Sequence, residues 1–90
     1  MKPIRWNPEK EVALITDRGV SFGSVVAALQ SGNLLDDIVH PNHGKHPNQR
    51  MLIVNINDYA WLVPYLENEE EFFLKTIIPS RKATRQYLRG

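Results

Sequence analysis

The sequence predicts an α+β domain, with helices at both ends and a mainly antiparallel sheet of four to five strands between them. Three observations predict it. Apolar residues recur at helical spacing only between Pro8 and Gly32. Short apolar runs separated by turn formers fill residues 34–78. A serine cap follows Pro79 and opens a last helical segment.

Each element has its own signal. Residues 2–6 form a short strand, and Pro3 assigns it to an edge. Asn7-Pro8 is an N-cap followed by proline at the first helical position. The helix runs to about Arg18 with Val12, Ala13 and Ile15 inward, and Gly19 stops it. Ser21 caps a second helix that buries Phe22, Val25, Val26 and Leu29 and closes at Gly32. The turn between the two is short, which predicts an αα-hairpin.

Residues 34–40 read as a strand and residues 40–48, rich in His, Pro, Asn and Gly, as a loop. Residues 51–56 and 59–66 form a hairpin around Asn57-Asp58, with Pro64 suggesting an edge or a bulge. A Glu-rich turn leads to a single strand over residues 72–78, and Ser80 caps the C-terminal helix. All helices are expected on one face of the sheet. The stripe Leu52, Val54 and Ile56 and the run Leu62, Val63 and Leu66 are core; Trp6 and Trp61 are core or partner-contact residues.

Ninety residues suffice for one domain, and an apolar share of 42% excludes a disordered chain. No cysteine is present, so disulfides and zinc–thiolate sites are excluded. No apolar run approaches the ~20 residues of a membrane span, and the polar start is unlike a signal peptide, so a cytoplasmic location is expected.

The net charge of +1 conceals a segregation. Residues 67–71 read Glu-Asn-Glu-Glu-Glu, whereas residues 72–90 contain no acid and carry Lys75, Arg81, Lys82, Arg85 and Arg89. A cationic end of this kind suits phosphate. It equally suits a solvated helix face, or a surface for an acidic partner. On a continuous helix Arg81, Arg85 and Arg89 share a face, and the Ser80 helix start offers further N–H donors to an anion.

His40, His43 and His46 recur every third residue in the loop. Their spacing matches no usual metal-ligand pattern and no acid completes it, so no metal and no cofactor are expected. Histidine titrates near neutrality and suits acid–base work; a polar surface loop is the plainer alternative.

Three stretches stand in register with one family: Ile-Arg-Trp-Asn-Pro-Glu-Lys at 4–10, Arg-Gly-Val-Ser-Phe at 18–22 and Ile-Pro-Ser-Arg-Lys-Ala-Thr-Arg at 78–85. Over nearly its whole length the chain resembles the BrnT-like toxins of toxin–antitoxin pairs. Asp17-Arg18-Gly19 departs from the family's Lys-His-Gly, and residues 40–50 do not read as the usual family sequence. The resemblance implies a RelE-like fold and a metal-independent endoribonuclease that cleaves mRNA and arrests translation. It also implies a DNA-binding antitoxin, of ribbon-helix-helix type, as partner. Such a partner is expected to cover Arg81 and Arg85 with acidic residues.

RNA cleavage without a metal needs a base for the 2′-hydroxyl, cations for the phosphorane and an acid for the leaving oxygen. The resemblance assigns these roles to residues of the sheet and last helix: His40, Lys75, Arg81 and Tyr87. Lys45, Arg50, Lys82, Arg85 and Arg89 are the matching RNA contacts. The place of Tyr87 beside Leu88, with Ala83 and Thr84 a turn earlier, favours packing over an acid or stacking role. The alternative function is a non-catalytic RNA- or antitoxin-binding module of the same fold.

Overall fold

In the computed structural model, which describes residues 2–42, 44–45 and 48–89, the caps and turn residues set most boundaries. The Asn7 side chain accepts from the N–H groups of Glu9 and Lys10, Pro8 opens helix α1 (Pro8–Arg18), and Gly19 ends it at φ 68°. Ser21 caps α2 (Phe22–Gln30) by accepting from Ser24 N–H. A second cap comes from α1, where Glu11 Oε2 accepts from Phe22 N–H at 2.8 Å and Gly23 N–H at 3.3 Å. That carboxylate satisfies donors that no α2 carbonyl can reach. The two helices meet at 89°, a corner rather than the expected hairpin.

The inward face of α1 also differs from expectation. Leu14 is buried, while Val12 and Ile15 are 65% and 51% exposed and Ala13 is exposed too. One turn of α1 rests on the core, so a single apolar position satisfies the contact and the rest of the stripe faces water.

The strands are β1 (Ile4–Arg5), β2 (Leu34–Val39), β3 (Gln49–Ile56), β4 (Tyr59–Glu67), β5 (Phe72–Leu74) and β6 (Ile78–Pro79). They form one mostly antiparallel sheet in the order β1-β5-β4-β3-β2, with β6 also paired to β4. Only β1 and β5 run parallel. The β3–β4 hairpin turns at Asn57 and Asp58, both at positive φ, the conformation a two-residue hairpin requires. A bulge lies in β2 between Leu34 and Asp36.

The expected single strand over residues 72–78 is broken into β5 and β6. Pro64 explains the break. Its carbonyl accepts from Lys75 N–H, on the side of β4 that β5 and β6 share, so its missing N–H falls on that side as well. Pro64 is therefore buried within the sheet, not at an edge.

Helices cover both faces, contrary to the expected one-sided packing. On the near face, Leu14, Phe22 and Val25 of α1 and α2 pack on Leu52, Val54, Val63 and Leu74. On the far face, Ala83 of α3 (Arg81–Tyr87) packs on Ile53 and Ala60, with Leu62, Tyr87 and Leu88 around them. Strand alternation demands this arrangement: β3 is apolar at consecutive positions from Met51 to Val54, and a strand buried on both sides needs two covers. No single helix among the described residues is long and apolar enough to cross a membrane.

Candidate nucleic-acid interface

The basic C-terminal stretch is set on the far face by one buried threonine. Thr84 Oγ1 accepts from Ala60 N–H at 2.9 Å and donates to the Ser80 carbonyl at 2.7 Å. Ser80 N–H in turn donates to the Ala60 carbonyl. These bonds pin α3 to β4, and its outer side then carries Arg81, Lys82 and Arg85, all exposed.

Four acids elsewhere, Glu67, Glu71, Asp37 and Asp58, are engaged with other cations. Glu67 pairs with Lys2 at 2.7 Å and Glu71 lies 3.6 Å from Arg5. The acidic turn thus pairs with Lys2 and Arg5 at the N-terminal end, and none of its carboxylates pairs with α3 among the described residues. Among the described residues, Lys75, Arg81, Lys82 and Arg85 stand in no ion pair. Arg89 differs. α3 ends at Tyr87, so Arg89 does not continue the Arg81–Arg85 face; it pairs with Asp58 at 3.1 Å. The helix start is also occupied, since Ser80 Oγ accepts from Ala83 N–H, and a seven-residue helix adds no anion site of its own.

Lys75 lies in the break between β5 and β6, not in a strand, and its Nζ sits 5.7 Å from the ring centroid of half-buried Phe73. Phe73 faces the same side of the sheet as α3, because it is paired with Leu66. Lys75 is opposite Pro64 and Ser80 is opposite Ala60, roughly 13 Å apart along β4 at ~3.3 Å per residue.

The remaining nominated residues are spread over the fold. His40 follows β2, with its N–H donating to Gln49 and its Nδ1 accepting from Asn42 N–H at 3.0 Å. An accepting Nδ1 places the ring proton of the neutral form on Nε2. His40 follows β2 and Lys75 follows β5, so their backbones are three strand spacings apart, roughly 14 Å at ~4.8 Å each. Lys45 is exposed in the turn after β2. His43 and His46 lie outside the described residues. No group of three His, Cys, Asp or Glu with metal-binding geometry occurs among the described residues.

Tyr87 and Arg50 are held by carboxylates. The Tyr87 hydroxyl donates to Asp36 Oδ2 at 2.6 Å, which raises the tyrosine pKa and lowers that of Asp36. A hydroxyl bound in this way gives up its proton less readily, so Tyr87 is a structural clasp rather than a ready acid. Arg50, on the near face, donates through Nε to Asp37 Oδ1 at 3.1 Å. Its guanidinium is held charged by hydrogen bonding to Tyr65 and Asp37. Tyr65 donates to both Asp37 oxygens at 2.9 Å, and burial, then the Asp37 bond, pushes its pKa up to about 12.

Sequence reasoning overlooked Asp36 and Asp37. The available signal was two adjacent acids inside the apolar strand Leu-Leu-Asp-Asp-Ile-Val: carboxylates there need partners on both faces. No family model, no curated protein and no solved structure matches this chain.

Proposed function

We propose that this chain is an RNA-binding module whose contact surface is the outer side of α3 together with Lys75 and Phe73. What carries the proposal is the set Lys75, Arg81, Lys82 and Arg85, left without ion pairs while Glu67, Glu71, Asp37 and Asp58 each engage another cation. Guanidinium groups suit bidentate phosphate contact, and an aromatic ring beside a lysine on a sheet face suits a stacked base. The test is a mobility assay on single-stranded RNA across a salt series. Salt-dependent retardation of intact RNA supports the module, and no retardation at low salt removes it.

Ribonuclease activity, in a toxin of the BrnT-like kind with a ribbon-helix-helix antitoxin covering Arg81 and Arg85, is the second proposal. It is favoured by the motif resemblance and by the fixed tautomer of His40. The spread of His40 and Lys75 across three strand spacings, with the Tyr87 hydroxyl held by Asp36, favours binding over cleavage. Recovery of cut RNA in the same assay, lost in His40→Ala, would reverse that order.

A further inference from the structure

β2 is the last strand of the sheet, with only β3 paired to it among the described residues. An edge strand leaves outward a row of backbone groups that another strand can pair with. The register identifies them. His40 N–H donates to the Gln49 carbonyl, so the backbone of His40 faces β3. Inward and outward residues alternate along an antiparallel ladder. Ile38, opposite Met51, therefore also faces β3, whereas Asp37, opposite Leu52, and Val39, opposite Arg50, turn their N–H and carbonyl groups away from it.

Both outward groups of Asp37 are taken by side chains. Its N–H donates to Asp36 Oδ1 at 2.8 Å. Its carbonyl accepts from Arg50 Nη2 at 3.0 Å. The same guanidinium donates through Nε to Asp37 Oδ1 at 3.1 Å, so Arg50 reaches over β2 from β3 and is held at two points. Asp36 is held in turn by the Tyr87 hydroxyl on its Oδ2. Both capping side chains are thus fixed by further bonds to charged groups.

We propose that Asp36 and Arg50 form an edge cap that closes β2 to strand addition, and that the strand it excludes is β2 of a second copy of this chain. Two β2 strands related by a two-fold axis at Asp37 run antiparallel and present the same surface to each other. That pairing requires the Asp37 N–H and carbonyl to exchange bonds with their counterparts in the other copy, and both are occupied. The strand would otherwise invite it: Leu34 and Val39, near its two ends, are 44% and 50% exposed. The cap therefore keeps an apolar edge from joining two domains.

Sedimentation velocity over a concentration series tests the cap. The parent is expected to remain a monomer throughout. Arg50→Ala frees the Asp37 carbonyl and should dimerise about tenfold or more tightly than the parent, the step of one charged hydrogen bond. Adding Val39→Lys, which puts a lysine on the bare edge, should return Arg50→Ala to the monomer. Tyr65→Phe loosens the Asp37 carboxylate but leaves the outward groups capped, so it should stay monomeric and separates edge pairing from a general loss of stability. If Arg50→Ala does not fold, hydrogen exchange on the parent decides. After correction for intrinsic rates, the capped Asp37 amide should exchange about tenfold or more slowly than the Val39 amide, which points the same way and has no acceptor among the described residues. A dimeric parent, a folded Arg50→Ala that stays monomeric, a dimer that survives Val39→Lys, equal association of Tyr65→Phe, or equal exchange at Asp37 and Val39 would overturn the proposal.

Discussion

Asp36 and Asp37 stand side by side on β2 and clasp tyrosines on opposite faces of the sheet: Asp36 holds Tyr87 of α3, and Asp37 holds Tyr65 of β4. Strand alternation sends neighbouring side chains to opposite faces, so this one dipeptide fastens an edge strand to α3 on one face and to β4 on the other. The arrangement also assigns Tyr87 and Arg50 structural work.

Tyr65→Phe should destabilise the chain by roughly 1–2 kcal/mol, because it removes hydrogen bonds to a charged group. The effect depends on pH. Tyr65 ionises at about 12 in the folded chain against an ordinary value of 10. Folding therefore favours its protonated form. The contribution is complete below pH 10 and is lost as pH climbs through about 12. Denaturant unfolding of parent and Tyr65→Phe should give stabilities that converge over that window; a constant gap would refute the clasp.

Tyr87→Phe should lower the melting temperature and leave RNA affinity unchanged. If the hydroxyl instead acts as an acid, the variant keeps its stability and loses RNA cleavage. Melting curves and cleavage assays on the same preparation separate the two.

The local chemistry of the chain was legible in its sequence. Asn7-Pro8, Gly19, Ser21, Asn57-Asp58 and Ser80 all serve as caps or turns, because their effects act within a few residues. What required the tertiary structure was less visible. The stripe Val12–Ile15 is amphipathic, yet only Leu14 meets the core. The two-sided burial of β3 was written in its unbroken apolar run, but its consequence, α3 on the face opposite α1 and α2, depends on how the chain crosses β4. The basic residues were evident from composition. Which of them stay unpaired depends on Lys2 reaching Glu67 and Arg89 reaching Asp58, contacts between distant parts of the sequence.

Thr84→Ala should cost about 1–3 kcal/mol, since it leaves the buried Ala60 N–H without an acceptor. Thr84→Ser should recover most of that loss by restoring the oxygen. Hydrogen exchange at the Ala60 amide is the direct readout, and no acceleration in Thr84→Ala would show that the helix is held by packing alone.

Phe22 is fully buried and stacks on Trp6 at 5.6 Å. Phe22→Ala should cost about 3–5 kcal/mol. In a small domain that is a large share of the total stability, so the variant should be mostly unfolded in mild denaturant. A native-like unfolding midpoint would mean that α2 contributes little to the core.

The RNA-binding proposal is tested most directly by the salt dependence of affinity for single-stranded RNA, measured by fluorescence anisotropy on the parent and on Arg81→Gln/Lys82→Gln/Arg85→Gln. Each phosphate contact to a single strand adds about 0.7 to the slope of log affinity against log salt. The triple variant should bind more weakly at low salt and lose about 2 from that slope, with its melting curve unchanged. An unaltered affinity and slope in the folded variant would contradict the account.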